Sequence, residues 1–456
     1  MHWRWVIAVM IFSSNCVNYM MRVNLSVNLV AMVPITNYTE SVSQVVLDWT
    51  PYQRAYILGG YFWGYLAGNL FGGPLATQLW GSRRVIFCTT LFSAILTLLS
   101  PAAAKHSFGT MLALRILLGF SGGFLFPASY SLIANWAVPT ERGKFVGALI
   151  GGSIGTFITW SLCGLLIESF GWEWGFYAFG IFALLWTIIW WFLVYDCPEV
   201  HPLISASEKE YICDGIKITK KGNVSPPIRQ MLTSVPVLSL CVMSFGTGWG
   251  VYFIITAAPN YLANALGFRI TATGVLSGVI YLLRSICNFL FGYLGDIALK
   301  RKLLSLRVLR KVASIFSHVI PGLLLVILAI PAFSSTVYLT IIITAMAING
   351  FVTLSSGANG YDLTNNFIAQ LGGLVTSLIT FAGIISPIIT AYFTKYNEVH
   401  VEAWQPVFYI SSSVLVASGL QFIIFGSTEI QPWNEIKETV RERERERGRE
   451  SEREQL

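Results

Sequence analysis

Apolar segments long enough to cross a membrane recur about twelve times along this chain, and no water-soluble fold has the interior to hide them. A helix needs about 20 apolar residues to span the hydrocarbon core. Candidate spans run over 5–32, 54–78, 85–104, 109–136, 144–167, 172–195, 234–263, 272–297, 308–331, 337–358, 368–392 and 405–427. In lipid the backbone must satisfy its own hydrogen bonds, so such segments fold as helices. Charged residues make up 12% of the chain, against about 25% in soluble proteins. The expected fold is an all-α membrane protein with twelve transmembrane helices in two six-helix pseudo-repeats. One long polar stretch, "HPLISASEKEYICDGIKITKKGNVSPPIRQ", divides six spans from six. The units expected are an N-terminal half (1–198), a cytoplasmic central loop (199–232), a C-terminal half (233–428) and a charged cytoplasmic tail (429–456).

Lysine and arginine in the loops set the orientation. Arg83, Arg84, Arg142, Lys144 and "KRKLLSLRVLRK" at 300–311 collect on one side, whereas Arg54, Lys105, Arg269 and Lys395 lie on the other. The first side is therefore expected to be cytoplasmic and to hold both termini. Asn37, in "NYT", then falls in the first external loop as a glycosylation acceptor, while Asn223 faces the cytoplasm. The net charge of +7 follows from this loop bias and implies no nucleic-acid partner. Seven cysteines match no metal or redox spacing. The tail "RERERERGRESEREQL" alternates in charge and reads as a solvated end.

The halves echo one another. "GGPLATQLWGSRR" follows the second span and "FGYLGDIALKRK" the eighth, aligning Gly73 with Gly292 and Thr77 with Asp296. A duplicated six-span unit with matching turns is the signature of a secondary transporter with its site between the halves. Glycines recur every four residues at Gly60, Gly64, Gly68 and Gly72 in the second span, and at Gly147, Gly151 and Gly155 in the fifth. Such stripes allow close helix packing in lipid.

Three arginines lie inside spans: Arg22, Arg115 and Arg284. A charge at the bilayer centre costs at least ~2.5–3.5 kcal/mol, so it is kept for a partner or a cavity. Asp362 is the clearest embedded acid, and one acid cannot neutralise three cations. The positive excess points to an anion, whose oxygens suit the guanidinium fork. Arg115 near its span end, and Arg284 paired with Asp362 or another acceptor, also fit structural roles; Arg22 fits one least. Asn15, Arg22 and Ser26 share a helical face, with Asn24 and Asn28 opposite. His318 reads as a packing histidine.

"RVNLSVNLVAMV" at 22–33 resembles the first-span signature of the anion/cation symporters of the major facilitator superfamily, which include sialin, vesicular glutamate transporters and sodium-dependent phosphate cotransporters. "YFWGY" at 61–65, "RILLG" at 115–119, "NWAVPTERGK" at 135–144, "WQPVFYI" at 404–410 and "QPW" at 431–433 agree with it in order. The resemblance implies anion handling by Arg22 and Arg115, with Trp249 and Tyr252 shaping the cavity and Arg284 assisting. It also implies a loop and gate role for Gly73, Glu141, Arg142, Gly292 and Asp296, and a second and a fifth helix that face the other half. Proton-coupled members carry a glutamate where this chain has Gly122, and Leu58, Thr247 and "NGYDLTNN" also depart from the family pattern. Asp362 is then the coupling-ion candidate, with sodium favoured over protons.

The expected function is secondary active transport of a small anion, phosphate or organic, by alternating access with cation coupling. A carrier-derived receptor or scaffold is the alternative. A membrane enzyme is disfavoured, since no cluster of carboxylates or histidines appears at a membrane face. No organic cofactor or metal is expected, the partners are the anion and the bilayer, and the chain is expected to act as a monomer. Plasma membrane and endolysosomal membrane both fit.

Overall fold

A computed structural model of the chain describes residues 2–33, 47–74, 80–138, 141–217 and 227–434. Asn37, Thr77, Asn223 and the tail from 435 onward lie outside the described residues. Twelve long helices cross the molecule: α1 Trp3–Met32, α2 Pro51–Pro74, α3 Ser82–His106, α4 Phe108–Trp136, α5 Ala148–Phe170, α6 Trp174–Leu193, α7 Val235–Ala265, α8 Ile270–Lys300, α9 Leu306–Leu328, α10 Ser335–Leu363, α11 Ile368–Thr394 and α12 Gln405–Phe425. Eleven of these are long and apolar enough to span a membrane by composition. The twelfth, α2, is 24 residues long and rich in tyrosine and glycine, because it lies between α4 and α11 inside the bundle.

Six helices lie on each side of the central segment, and the contacts that join the halves include α2 with α11, α5 with α8, and α1 with both α7 and α8. Close approach at these seams depends on glycines. A Cβ on Gly274 would lie 2.2 Å from the carbonyl oxygen of Trp160, and one on Gly164 would lie 2.9 Å from Thr271 Cα. The predicted stripes do different work. Gly64 and Gly68 would put a Cβ 1.8 Å and 2.0 Å from the carbonyl oxygens of Ile116 and Phe120, so they seat α2 on α4 within one half. Gly60 faces Leu112 of the same helix, while Gly151 and Gly155 press on Phe12 and Cys16 of α1. The stripes thus face their own half, not the other. Gly147 meets open space, and the surroundings of Gly72 and Gly73 lie outside the described residues.

Carboxylates, one buried and one half-buried, anchor two helix starts on the face that holds residues 2 and 434, called here the near face. Glu208, from a central-segment helix Ala206–Lys217, accepts from the backbone N–H groups of Trp3 and Arg4 at 3.0 and 3.1 Å. Asp196 accepts from Arg83 N at 2.8 Å and packs against Gly81, whose φ is +82°. Negative charge at a helix N-terminus satisfies free N–H groups and the dipole together.

Irregular turns interrupt the C-terminal half. Pro321 cannot donate to the carbonyl of Ser317 four residues back, and α9 widens into a π-turn over Ile315–Val319. Asn349 Nδ2 supplies the missing donor to Ser317 O at 2.6 Å. α10 narrows to a 3-10 turn at Gly350–Leu354 before its last helical stretch, Ser356–Leu363. Asp362 therefore sits at the near end of the bundle.

Candidate functional site

α1 carries Arg22 into the seam between the halves, where it is 6% exposed. Five rings surround the guanidinium. Its Cζ lies 5.0 Å from the Tyr19 ring centroid, 4.9 Å from Tyr61, 5.1 Å from Phe62, 5.5 Å from Tyr65 and 5.4 Å from Tyr252. Tyr19 stands on the same face as Arg22, one turn earlier. Tyr61 and Tyr65 are one turn apart on α2, and Tyr252 comes from α7. Aromatic faces attract a cation but accept no strong hydrogen bond. Nε and Nη2 of Arg22 accordingly have no protein partner.

Arg115 of α4 reaches the same place. Its Nη2 donates to the backbone carbonyl of Arg22 at 2.9 Å, its Cζ lies 5.6 Å from the Tyr61 ring, and its Nε is unpartnered. The two arginines, Ser26, Tyr61, Phe62 and Thr256 line a cavity of about 20 Å³. That holds a water molecule and is too small for an organic anion unless the surrounding side chains part. No carboxylate or histidine lines it among the described residues. Tyr61 Oη is also buried without a partner, and it lies 2.4 Å from the place a Cβ at Gly122 would take. A side chain at position 122 would displace that hydroxyl.

The other expected residues fall elsewhere. Trp249 is buried but turns to α12, where its Nε1 donates to Ser411 Oγ at 3.0 Å. Arg284 donates through Nε to Asn349 Oδ1 at 2.7 Å and does not pair with Asp362. Asn349 links it to Ser317, whose hydroxyl meets His318 Nδ1 at 2.7 Å, and His318 Nε2 meets Thr247 Oγ1 and Met243 O at 3.1 Å each. His318 is thus fully hydrogen-bonded inside the C-terminal half.

Asp362 is held by Arg310, with Nε–Oδ2 2.7 Å and Nη2–Oδ1 3.1 Å, and by Asn359. The coupling-ion candidate is therefore already neutralised, and it lies away from the Arg22 cavity. Of the loop residues, Glu141 pairs with Arg4 at 3.3 Å, Gly292 contacts Thr353 and Asp296 is exposed, while the Arg142 side chain lies outside the described residues.

Two ion pairs join the halves among the described residues, and both lie on the far face: Arg54 with Glu398, and Arg269 with Glu168 at 2.6 Å. At the near ends of α5 and α11, Gly147, Gly372 and Gly373 meet no neighbour within 4 Å of a built Cβ. The ion pairs thus clasp the halves at the far face, whereas these near-end glycines face open space. Tyr19, Tyr61, Tyr65 and the far-face clasp had little contrast in the sequence; the i, i+4 spacing inside "YFWGY" is the one signal that could have found Tyr61 and Tyr65.

The Major Facilitator Superfamily model matches residues 11–365. Vesicular glutamate transporter 3 of Danio rerio is 30% identical over 452 residues, covering 96% of this chain and 76% of that protein. The uncharacterized transporter slc-17.2 of Caenorhabditis elegans is 32% identical over 461 residues, covering 95% and 93%. In fold, the chain is similar to a bacterial homologue of the human lysosomal transporter Spinster in an inward-facing, occupied conformation, with TM-score 0.71, 14% identity and coverage of 92% and 96%. A D-xylose–proton symporter gives TM-score 0.69 at 14% identity, covering 93% and 98%.

Proposed function

This chain belongs to the Major Facilitator Superfamily, among its anion/cation symporters, and we propose that this membrane transporter carries small organic anions by alternating access. One observation carries the reading: the Arg22 guanidinium is buried at the seam between the halves, with two N–H directions unpartnered and no carboxylate beside it among the described residues. A buried cation without a counter-ion is expensive, and an anion that binds there removes the penalty. The free donors are Arg22 Nε and Nη2, Arg115 Nε and Tyr61 Oη, enough for a carboxylate. Phosphate presents four oxygens and no carbon skeleton. The rings of Phe62 and Tyr252, 4.5 Å apart at centroids, favour an anion with apolar surface. The similarity to vesicular glutamate transporters points the same way.

A far-face clasp between the halves, with open glycines at the near ends, fits one end-state of a rocking carrier. The drive in this proposal is a cation, sodium ahead of protons, because the residues that line the Arg22 cavity include no proton-accepting side chain.

Uptake of labelled L-glutamate and other carboxylates into proteoliposomes tests this, under separate sodium, proton and potential gradients. Uptake in the wild type that drops roughly ten- to a hundredfold in Arg22→Ala is the expected result, given 1.5–3 kcal/mol per charge-assisted hydrogen bond. Folded wild-type protein that moves no anion would favour a carrier-derived receptor or scaffold.

A further inference from the structure

Arg54 stands in the first turn of α2 and pairs with Glu398 on the connection between α11 and α12. The pair is bidentate, with Nη1–Oε2 at 2.9 Å, and both side chains are nearly buried. Glu398 Oε2 also accepts from Asn260 Nδ2 at 3.1 Å, while Arg54 Nε has no partner. Beneath the pair lies a cavity of about 40 Å³, larger than the one at Arg22. Ser26, Leu58 and Thr256 line both cavities. The cavity of the far-face arginine therefore adjoins that of the central pair across a shared wall.

We propose that Arg54 is a second anion site, filled at rest by Glu398, and that an anion arriving at the far face exchanges with this carboxylate before passing to Arg22. The proposal rests on the reading of the chain as an anion carrier. The exchange is chemically even: a carboxylate on the ligand replaces a carboxylate of the protein on the same guanidinium fork. Arg54 is never left buried without a counter-ion. Glu398 keeps the Asn260 amide as a donor and turns toward water at the far face. Because Arg54 and Glu398 belong to different halves, filling Arg54 with a free anion also unfastens the clasp. The anion thereby opens the path to the deeper site, and the free Arg54 Nε gives it one more donor than Glu398 uses.

The test compares Arg54→Gln with Glu398→Gln in the full chain, reading the half-saturating concentration of labelled L-glutamate offered at the far face. Exchange requires opposite effects. Glu398→Gln removes the competitor and lowers that concentration by roughly tenfold, whereas Arg54→Gln raises it by a similar factor, as expected for one charged pair at a contact. A plain lock requires the same effect from both, since either substitution breaks the same pair, and that result overturns the proposal. Ala391→Cys, in the outer cavity, gives a reading that needs no transport. Its reaction with a membrane-impermeant sulfonate thiol reagent, measured against the same chains with Ala391 intact, should quicken in Glu398→Gln and slow in Arg54→Gln. Opposite labelling effects without any anion uptake would retire the carrier reading and keep the site. Labelling that quickens in both variants overturns the site, whatever uptake shows.

Discussion

Arg115 donates through Nη2 to the backbone carbonyl of Arg22 at 2.9 Å, so one buried cation is tied to the peptide that carries the other. Two like charges are held together with no acid lining their cavity among the described residues. The hydrogen bond sets where Arg22 stands, and the second charge makes the pocket more attractive to an anion.

Arg115→Lys separates these contributions. A lysine keeps the charge but has no planar fork, so it cannot hold the Arg22 carbonyl and still present a second N–H to the cavity. Uptake should fall roughly tenfold or more, the equivalent of 1.5–3 kcal/mol for a hydrogen bond to a charged group. The fall should appear mainly in the half-saturating concentration. Concentration-dependent uptake checks it, and equal kinetics in wild type and variant would show that charge alone is used.

Tyr61→Phe removes a hydroxyl that has no protein partner. Deleting it breaks no internal hydrogen bond, and thermal stability of the purified protein should be unchanged or slightly raised. If Tyr61 donates to the bound anion, the half-saturating concentration should rise about five- to tenfold, near 1 kcal/mol. A loss of stability with no change in that concentration would place Tyr61 in packing alone.

The glycines show how much was legible in the sequence. Length and apolarity mark spans because lipid tolerates nothing else, so the helix count and the two halves could be read directly. Arg22 and Arg115 stood out as charges against apolar runs. Tyr19, Tyr61 and Tyr65 did not, since a ring inside an apolar span carries no contrast. Asp362 misled because its partner Arg310 is 52 residues away and the 3-10 turn in α10 shifts the register. The glycine stripes announced close packing but not the neighbour, which is α4 for α2 and α1 for α5.

Gly64→Ala and Gly274→Ala should therefore behave differently. The first drives a Cβ to 1.8 Å from the Ile116 carbonyl inside one half, so yield and thermal stability should collapse. The second meets the Trp160 carbonyl at 2.2 Å across the seam between the halves. The halves can part there without unfolding. Gly274→Ala should fold, lose most uptake and expose the far-face cavity, read as faster labelling of Ala391→Cys. Equal loss of folding in both variants would mean that the seam is as rigid as the interior of a half.

The near face supplies a prediction about pH. His201 is buried against Trp3, Tyr195 and Trp136, with ring centroids at 4.3, 4.8 and 5.7 Å, and its Nδ1 accepts from Leu203 N at 3.2 Å. Burial pushes its pKa below the ordinary value of 6.5, helped by nearby Arg83 and partly offset by a backbone hydrogen bond at Leu193 and by Glu208. The undocked segment takes up a proton near the ordinary 6.5, and the docked segment takes it up only at lower pH. Docking is therefore at full strength above that pH and weakens as pH falls below it, since acid favours the state that binds more protons. Glu208, which anchors the start of α1, belongs to the same segment. Mild acid on the near face should raise protease cleavage at Lys209 severalfold, and His201→Gln should flatten the response. Cleavage that rises equally in that variant would assign the pH effect to another group.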